Sequence, residues 1–212
     1  MLDLLITGGL VIDGSGNPGY HGAVGVEGER IRLFRGTLEG VQAHRILDAT
    51  GSVVAPGFID MHAHSGLVIL AEPRHEPKVR QGVTTEVIGI DGCSYAPFPT
   101  TEDLEAFVEI NAGLDGCPPL PGRWTTVEQY LDLFTSRVAV NIVYLVGNSP
   151  LRVCAVGWDD RPARPAEVQD QRVLYLEFGV FRGRTIRYWS RKLRHPETRL
   201  HGFDSFEGLP DA

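Results

Sequence analysis

Residues 52–66 read SVVAPGFIDMHAHSG, an extended apolar run that ends in polar side chains. On a strand, residues i and i+2 project to one face, so His62 and His64 point the same way while Ala63 turns aside. Asp60 lies one step earlier on that face. Imidazole nitrogen suits zinc and similar divalent ions, and two ligands on one rigid strand lose little freedom when an ion binds. Spacing alone leaves a second reading open, because a histidine pair on a strand is ordinarily polar surface. Position favours the metal reading: the pair ends an apolar strand, and parallel barrels build their sites at the carboxyl ends of strands.

The surrounding pattern supports a parallel sheet. A helical stretch near Pro77 to Gln81 is followed by a second apolar run, TTEVIGID, ending at Asp91. Two amphipathic segments come next, TEDLEAFVEINAG and TVEQYLDLF, each opening on Thr with an acid close behind, as helix starts often do. A third run, VAVNIVYLVGN, closes the series at Asn148. Strands alternating with helices imply βαβ crossovers. Upstream, residues 2–50 alternate short β-type runs with glycine turns, which predicts a small antiparallel β-unit without helices. RPARPAE, 161–167, is the best linker candidate because proline interrupts any periodic pattern there. From Arg172 the order restarts with a strand, RVLYLEFGVFRG, a helix, GRTIRYWSRKL, and a second strand, RLHGFD.

Composition bounds the function. The 212 residues are 42% hydrophobic and 22% charged, which argues against wholesale disorder and against a membrane protein. A net charge of -7 argues against a nucleic-acid or anionic-membrane partner, since both need a basic surface. The charge is uneven: residues 1–171 carry net -10 and residues 172–212 net +3. Three cysteines, Cys93, Cys117 and Cys154, match no disulfide framework or CxxC zinc site. With no signal-like start and no run of 18 apolar residues, the expectation is a cytoplasmic protein.

Four ordered blocks carry a specific resemblance: DLLITGGLVIDGSG, VVAPGFIDMHAHSG, QGVTTEVIGIDGCSYAP, and VAVNIVYLVGNSPLR followed by DDRPARPAE. They resemble the D-aminoacylase (N-acyl-D-amino-acid deacylase) branch of the metal-dependent amidohydrolases, from residue 2 to about 168. The resemblance implies that residues 1–52 belong to a small β-sandwich and 53–168 to part of a (β/α)₈ barrel. It implies hydrolysis of a linear amide in a small N-acyl amino acid, with His62 and His64 binding zinc or another divalent metal. The family carries a cysteine ligand after the second strand, in a Gly-Asn-Cys-Gly context. Here Asp91 occupies that place and Cys93 is shifted by two, so Asp91, Cys93 or neither remains open as the third ligand.

A full barrel needs about 250 residues, and three βα units are all that 53–168 can hold. The family's later histidine ligands and catalytic aspartate come from strands beyond these, so no catalytic residue is assigned. The final stretch has its own resemblance. LEFGVFRGRTIRYW and LHGFDSFEGLP resemble the first motifs of class I S-adenosylmethionine-dependent methyltransferases of the macrocin O-methyltransferase type. A glycine-containing strand-to-helix turn lets a cofactor approach the backbone, and an acid ending the next strand can hold ribose hydroxyls. That resemblance places Glu177, Gly179, Gly183 and Asp204 at S-adenosylmethionine, in a Rossmann-like βαβ fragment over 172–212. The fold class is therefore α/β, with two unlike families meeting near residues 168–172. Three functions follow as expectations: a truncated metal-dependent amidohydrolase, a methyltransferase-like cofactor-binding module, or an inactive fusion or assembly artefact. Of the remaining histidines, His21, His44, His75 and His195 read as solvated surface, and Asp159 and Asp160 as a polar turn.

Overall fold

A computed structural model describes residues 1–169, 174–178, 191 and 199–203. The chain divides into two compact units, Met1–Ile59 with Gly82–Thr84, and Asp60–Gln81 with the chain from Thr85 on.

The first unit is built from two small sheets. Strand β1 (Leu2–Thr7) lies between β4 (Ala23–Glu27) and β6 (Ala43–Asp48), and β5 (Arg30–Phe34) pairs with the far side of β4. The β4–β5 hairpin closes through Gly28 at φ 57, the positive dihedral that a tight two-residue turn requires at its first position. The Gly28 amide also donates to Asp3 Oδ2 at 2.7 Å, tying the turn to β1. A second sheet has the order β3 (Tyr20–His21), β2 (Leu10–Val11), β7 (Val53–Val54). Leu2, Leu5 and Ala23 form a small core, with Phe34 and Ala43 packed against it. The expected antiparallel unit is in fact mixed, because β1 runs parallel to β6 and β2 parallel to β7. A strand's residue pattern fixes which face it buries, not the direction of its neighbour; the intervening β4–β5 hairpin supplies the crossover that a parallel return needs.

The second unit holds β10 (Asn141–Tyr144) and the greater part of β8 (Phe58–Ala63) and β9 (Val83–Ile88), which follow one another across a three-stranded sheet with β9 and β10 parallel. Short helices α1 (Val68–Ala71) and α2 (Glu76–Val79) separate β8 from β9. Helices α3 (Thr101–Asp115) and α4 (Val127–Asp132) separate β9 from β10. Both longer starts have a physical cap: Thr100 accepts the Asp103 amide, and Thr126 forms a capping box with Gln129. The core gathers Ile88 of β9, Leu104 and Phe107 of α3, and Trp124 and Tyr130 around Leu67. Tyr130 is fully buried, stacks on Trp124 with centroids 5.1 Å apart, and donates its hydroxyl to Gly66 O at 2.8 Å. Burying such a ring is worth about 1.5–3 kcal/mol, and the hydroxyl pins the chain just after the histidine pair.

Two more helices follow β10. Helix α5 (Asn148–Val156) contains Pro150, and α6 (Pro165–Gln169) begins inside the candidate linker. Each proline sits in the first turn, where its missing N–H would have had no intrahelical partner. His75, expected at the surface, is buried at 7% exposure. Strands β11 (Leu174–Phe178) and β12 (Arg199–Phe203) pair in parallel. Gly179, Gly183, Asp204 and His195 lie outside the described residues, as do the side chain of Glu177 and the body of the helix expected over GRTIRYWSRKL. Among the described residues, no helix is long and apolar enough to cross a membrane.

Candidate metal centre

The alternation of β8 turns Ala63 into the core at 3% exposure and leaves both flanking histidines on the opposite side. Asp91 reaches them from the loop after β9. Its Oδ2 lies 3.1 Å from His62 Nε2 and 3.4 Å from His64 Nε2. One ligand atom from each of the three residues falls within 4.8 Å of the others. Zinc–ligand bonds of about 2.0–2.1 Å in a tetrahedron put neighbouring ligand atoms about 3.3 Å apart, so the separations of 3.1 and 3.4 Å suit a shared cation.

The loop that delivers Asp91 depends on its glycines. Asp91 itself is left-handed at φ 57, a region that Asp tolerates better than most residues. Gly89 has φ 81, and a Cβ there would meet Leu145 O at 2.0 Å. Gly92 has φ 77, and its Cβ would meet Asn148 Oδ1 at 2.1 Å. The sequence GIDG is therefore the price of threading this loop against the segment after β10.

His64 is held from behind. Asp115 Oδ1 lies 2.8 Å from His64 Nδ1, and the Asp115 side chain is only 3% exposed. The other oxygen, Oδ2, accepts the Tyr95 hydroxyl at 2.5 Å. Burial pushes the Tyr95 phenol far above its ordinary value, and the hydrogen bond to Asp115 adds to this, so Tyr95 remains a donor. Trp124 Nε1 in turn donates to Tyr95 O at 2.6 Å. Asp115 thus favours the proton on Nδ1 of His64 and leaves the Nε2 lone pair facing Asp91. With the proton on Nδ1, His64 and Asp91 both turn lone pairs toward one point, which is what a cation needs from its donors. The donor set therefore fits a divalent cation.

Cys93 is not part of this group. Its thiol is turned to Asp91 O at 3.8 Å, and burial, then Asp115 and Asp91, push it toward the protonated form. His21 and His44 are exposed. Asp115 and Tyr95 escaped sequence reasoning; the one local signal was an acid at the C-terminal end of a helix, where the dipole disfavours negative charge.

No family model matches the chain. It is 39% identical over 174 residues to N-acyl-D-glutamate deacylase of Alcaligenes xylosoxydans xylosoxydans, covering 82% of this chain and 33% of that protein. Among solved structures it is similar to a D-aminoacylase studied for the role of its binuclear metal centre, with a TM-score of 0.66 and 35% identity over 80% of this chain and 34% of that one. It is also similar to N-acyl-D-glutamate deacylase from Bordetella bronchiseptica, complexed with zinc and a phosphonate inhibitor that mimics the tetrahedral intermediate. That match has a TM-score of 0.62 and 35% identity over 79% of this chain and 34% of that one. The chain spans about a third of the length of these relatives. Over most of its own length it is related to the D-aminoacylase amidohydrolases, and its structural neighbours have their α/β fold.

Proposed function

We propose that the chain carries part of the metal site of an amidohydrolase that cleaves a linear amide in small N-acyl-D-amino acids. His62, His64 and Asp91 are the residues that would hold zinc or another divalent ion. The observation that carries this reading is the approach of both Nε2 atoms to one oxygen of Asp91, at 3.1 and 3.4 Å. Residues 1–52 are read as the sandwich segment of such an enzyme and 53–168 as a partial (β/α)₈ barrel. The relatives named above support the substrate class.

A divalent ion bound there would polarise an amide carbonyl and make water a stronger nucleophile near neutral pH. The chain's own residues act on that site by orientation. Asp115 engages Nδ1 of His64 and so turns Nε2 toward Asp91, and Tyr95 keeps Asp115 in place. Asp91, fixed by its glycine-flanked loop, supplies the hard oxygen donor that favours harder ions than a thiolate would. Metal content tests the reading: purified protein is expected to retain a divalent ion that is lost on His62→Ala/His64→Ala. Equal content in parent and variant overturns it.

A second reading concerns residues 172–212, proposed as a methyltransferase-like βαβ fragment with Glu177, Gly179, Gly183 and Asp204 at S-adenosylmethionine. What favours it is the parallel pairing of Leu174–Phe178 with Arg199–Phe203, the strand direction that a βαβ crossover produces. Calorimetry with millimolar S-adenosylmethionine is expected to show binding heat; none removes the reading.

A further inference from the structure

A second polar cluster lies on the α2 side of the histidine strand. Glu86 of β9 is fully buried, and both its oxygens are engaged. Oε2 accepts the hydroxyl of Ser65, the residue after His64. Oε1 meets His75 Nε2 at 3.0 Å and Lys78 Nζ at 3.3 Å. Lys78 also donates to Asp60 Oδ2, and Asp60 Oδ1 accepts the backbone amide of His62 at 3.0 Å. One lysine on α2 therefore links two carboxyls that grip opposite ends of the four-residue segment from His62 to Ser65.

The cluster is not simple helix capping. His75 precedes α2 at φ 45, in the left-handed region, and its side chain makes no cap to the helix. The ring is turned inward to Glu86 instead, so the helix start gives up a capping contact to complete the cluster. Nor is added stability a sufficient reason for it. A buried ion pair is often no better for folding than apolar side chains of the same volume, whereas it does fix geometry.

We propose that Lys78, Asp60 and Glu86 form a clamp on both ends of the His62–Ser65 segment, setting the relative placement of the His62 and His64 donor atoms. They are positioning residues: Asp60 engages the main chain of His62, Glu86 the hydroxyl of Ser65, and Lys78 bridges the two carboxyls. The clamp rests on the metal reading given above. Its consequence is that a surface-facing helix with no atom at the site governs how tightly the site binds its ion.

The test uses the full chain with Lys78→Met, which keeps the stem and removes the charge, and Ser65→Ala, which removes one hydroxyl. Hydrogen exchange at the His62 amide, read without metal, is expected to rise at least about tenfold in Lys78→Met, and the Kd for Co²⁺ to rise by about tenfold. Ser65→Ala is expected to weaken Co²⁺ binding by a smaller factor, and it carries the test if Lys78→Met fails to fold. Unchanged His62 exchange, or unchanged Co²⁺ affinity despite faster exchange, overturns the clamp while leaving the metal reading intact. A parent chain that binds no Co²⁺ overturns the metal reading and the clamp's positioning role with it.

Discussion

The histidine strand is flanked by two buried acids that act on it in different ways. On the α3 side, Asp115 engages a ring nitrogen of His64 and a tyrosine hydroxyl, with no lysine or arginine as a hydrogen-bond partner among the described residues. On the α2 side, Glu86 engages a serine hydroxyl, a histidine and a lysine, and that lysine reaches a second acid that holds the main chain. The first device bears on which nitrogen of His64 carries the proton. The second bears on where the backbone places the two histidines. Orientation of a donor and spacing between donors are thus separable, and each flank can be disturbed while the other stays whole.

The largest effect is expected from Asp115→Ala. Without the acceptor, the Nδ1 proton of His64 loses its partner and the ring is free to carry its proton on Nε2, where metal would bind. Loss of such an outer partner typically costs about 10–100-fold in metal affinity. A Co²⁺ titration reads the affinity, and nitrogen-15 shifts of the imidazole read the tautomer in the metal-free chain. Tyr95→Phe is expected to act in the same direction and more weakly, because Asp115 then keeps His64 but loses one donor. The separation of the flanks predicts that His62 amide exchange stays at its parental rate in both variants. Faster exchange there would mean that the two flanks form one network.

How much of this was legible follows from the range of each interaction. The β8 alternation, the strand into Asp91 and the Thr-led helix starts are signals within a few residues, and each appears where its pattern placed it. The resemblance put Asp91 at the place of a family ligand and left Cys93 open beside it, and the fold brings Asp91 to the two histidines. Asp115 lies 51 residues from His64 along the chain, and a contact at that separation leaves no periodic trace. The α2 cluster left a fainter sign: Glu86 sits inside the apolar run TTEVIGI, where an acid needs partners if buried. His75, just before the preceding helix, reads as solvated surface in sequence, and nothing in the local pattern sets Lys78 apart. Parallel pairing of β1 with β6 was hidden for a related reason, since burial patterns do not encode strand direction.

The smallest effect separates the two histidines themselves. The His62 side chain is 63% exposed, and its ring meets Asp91, which is itself 56% exposed. Removing such a group as His62→Ala is expected to change unfolding stability by no more than about 0.5 kcal/mol. His64 is 26% exposed and partners Asp115, which is buried at 3%. His64→Ala leaves that carboxyl oxygen without its donor, and an unsatisfied buried group costs about 1–3 kcal/mol. Urea unfolding of the two single variants, compared at matched slope, measures the difference directly. The order matters because both changes remove one ligand from the same candidate site. If they cost the fold equally, the support behind His64 is not what distinguishes it. If His64→Ala costs more, the strand presents one ligand built into the core and one held mainly by its backbone, which is the division between the flanks carried down to neighbouring side chains.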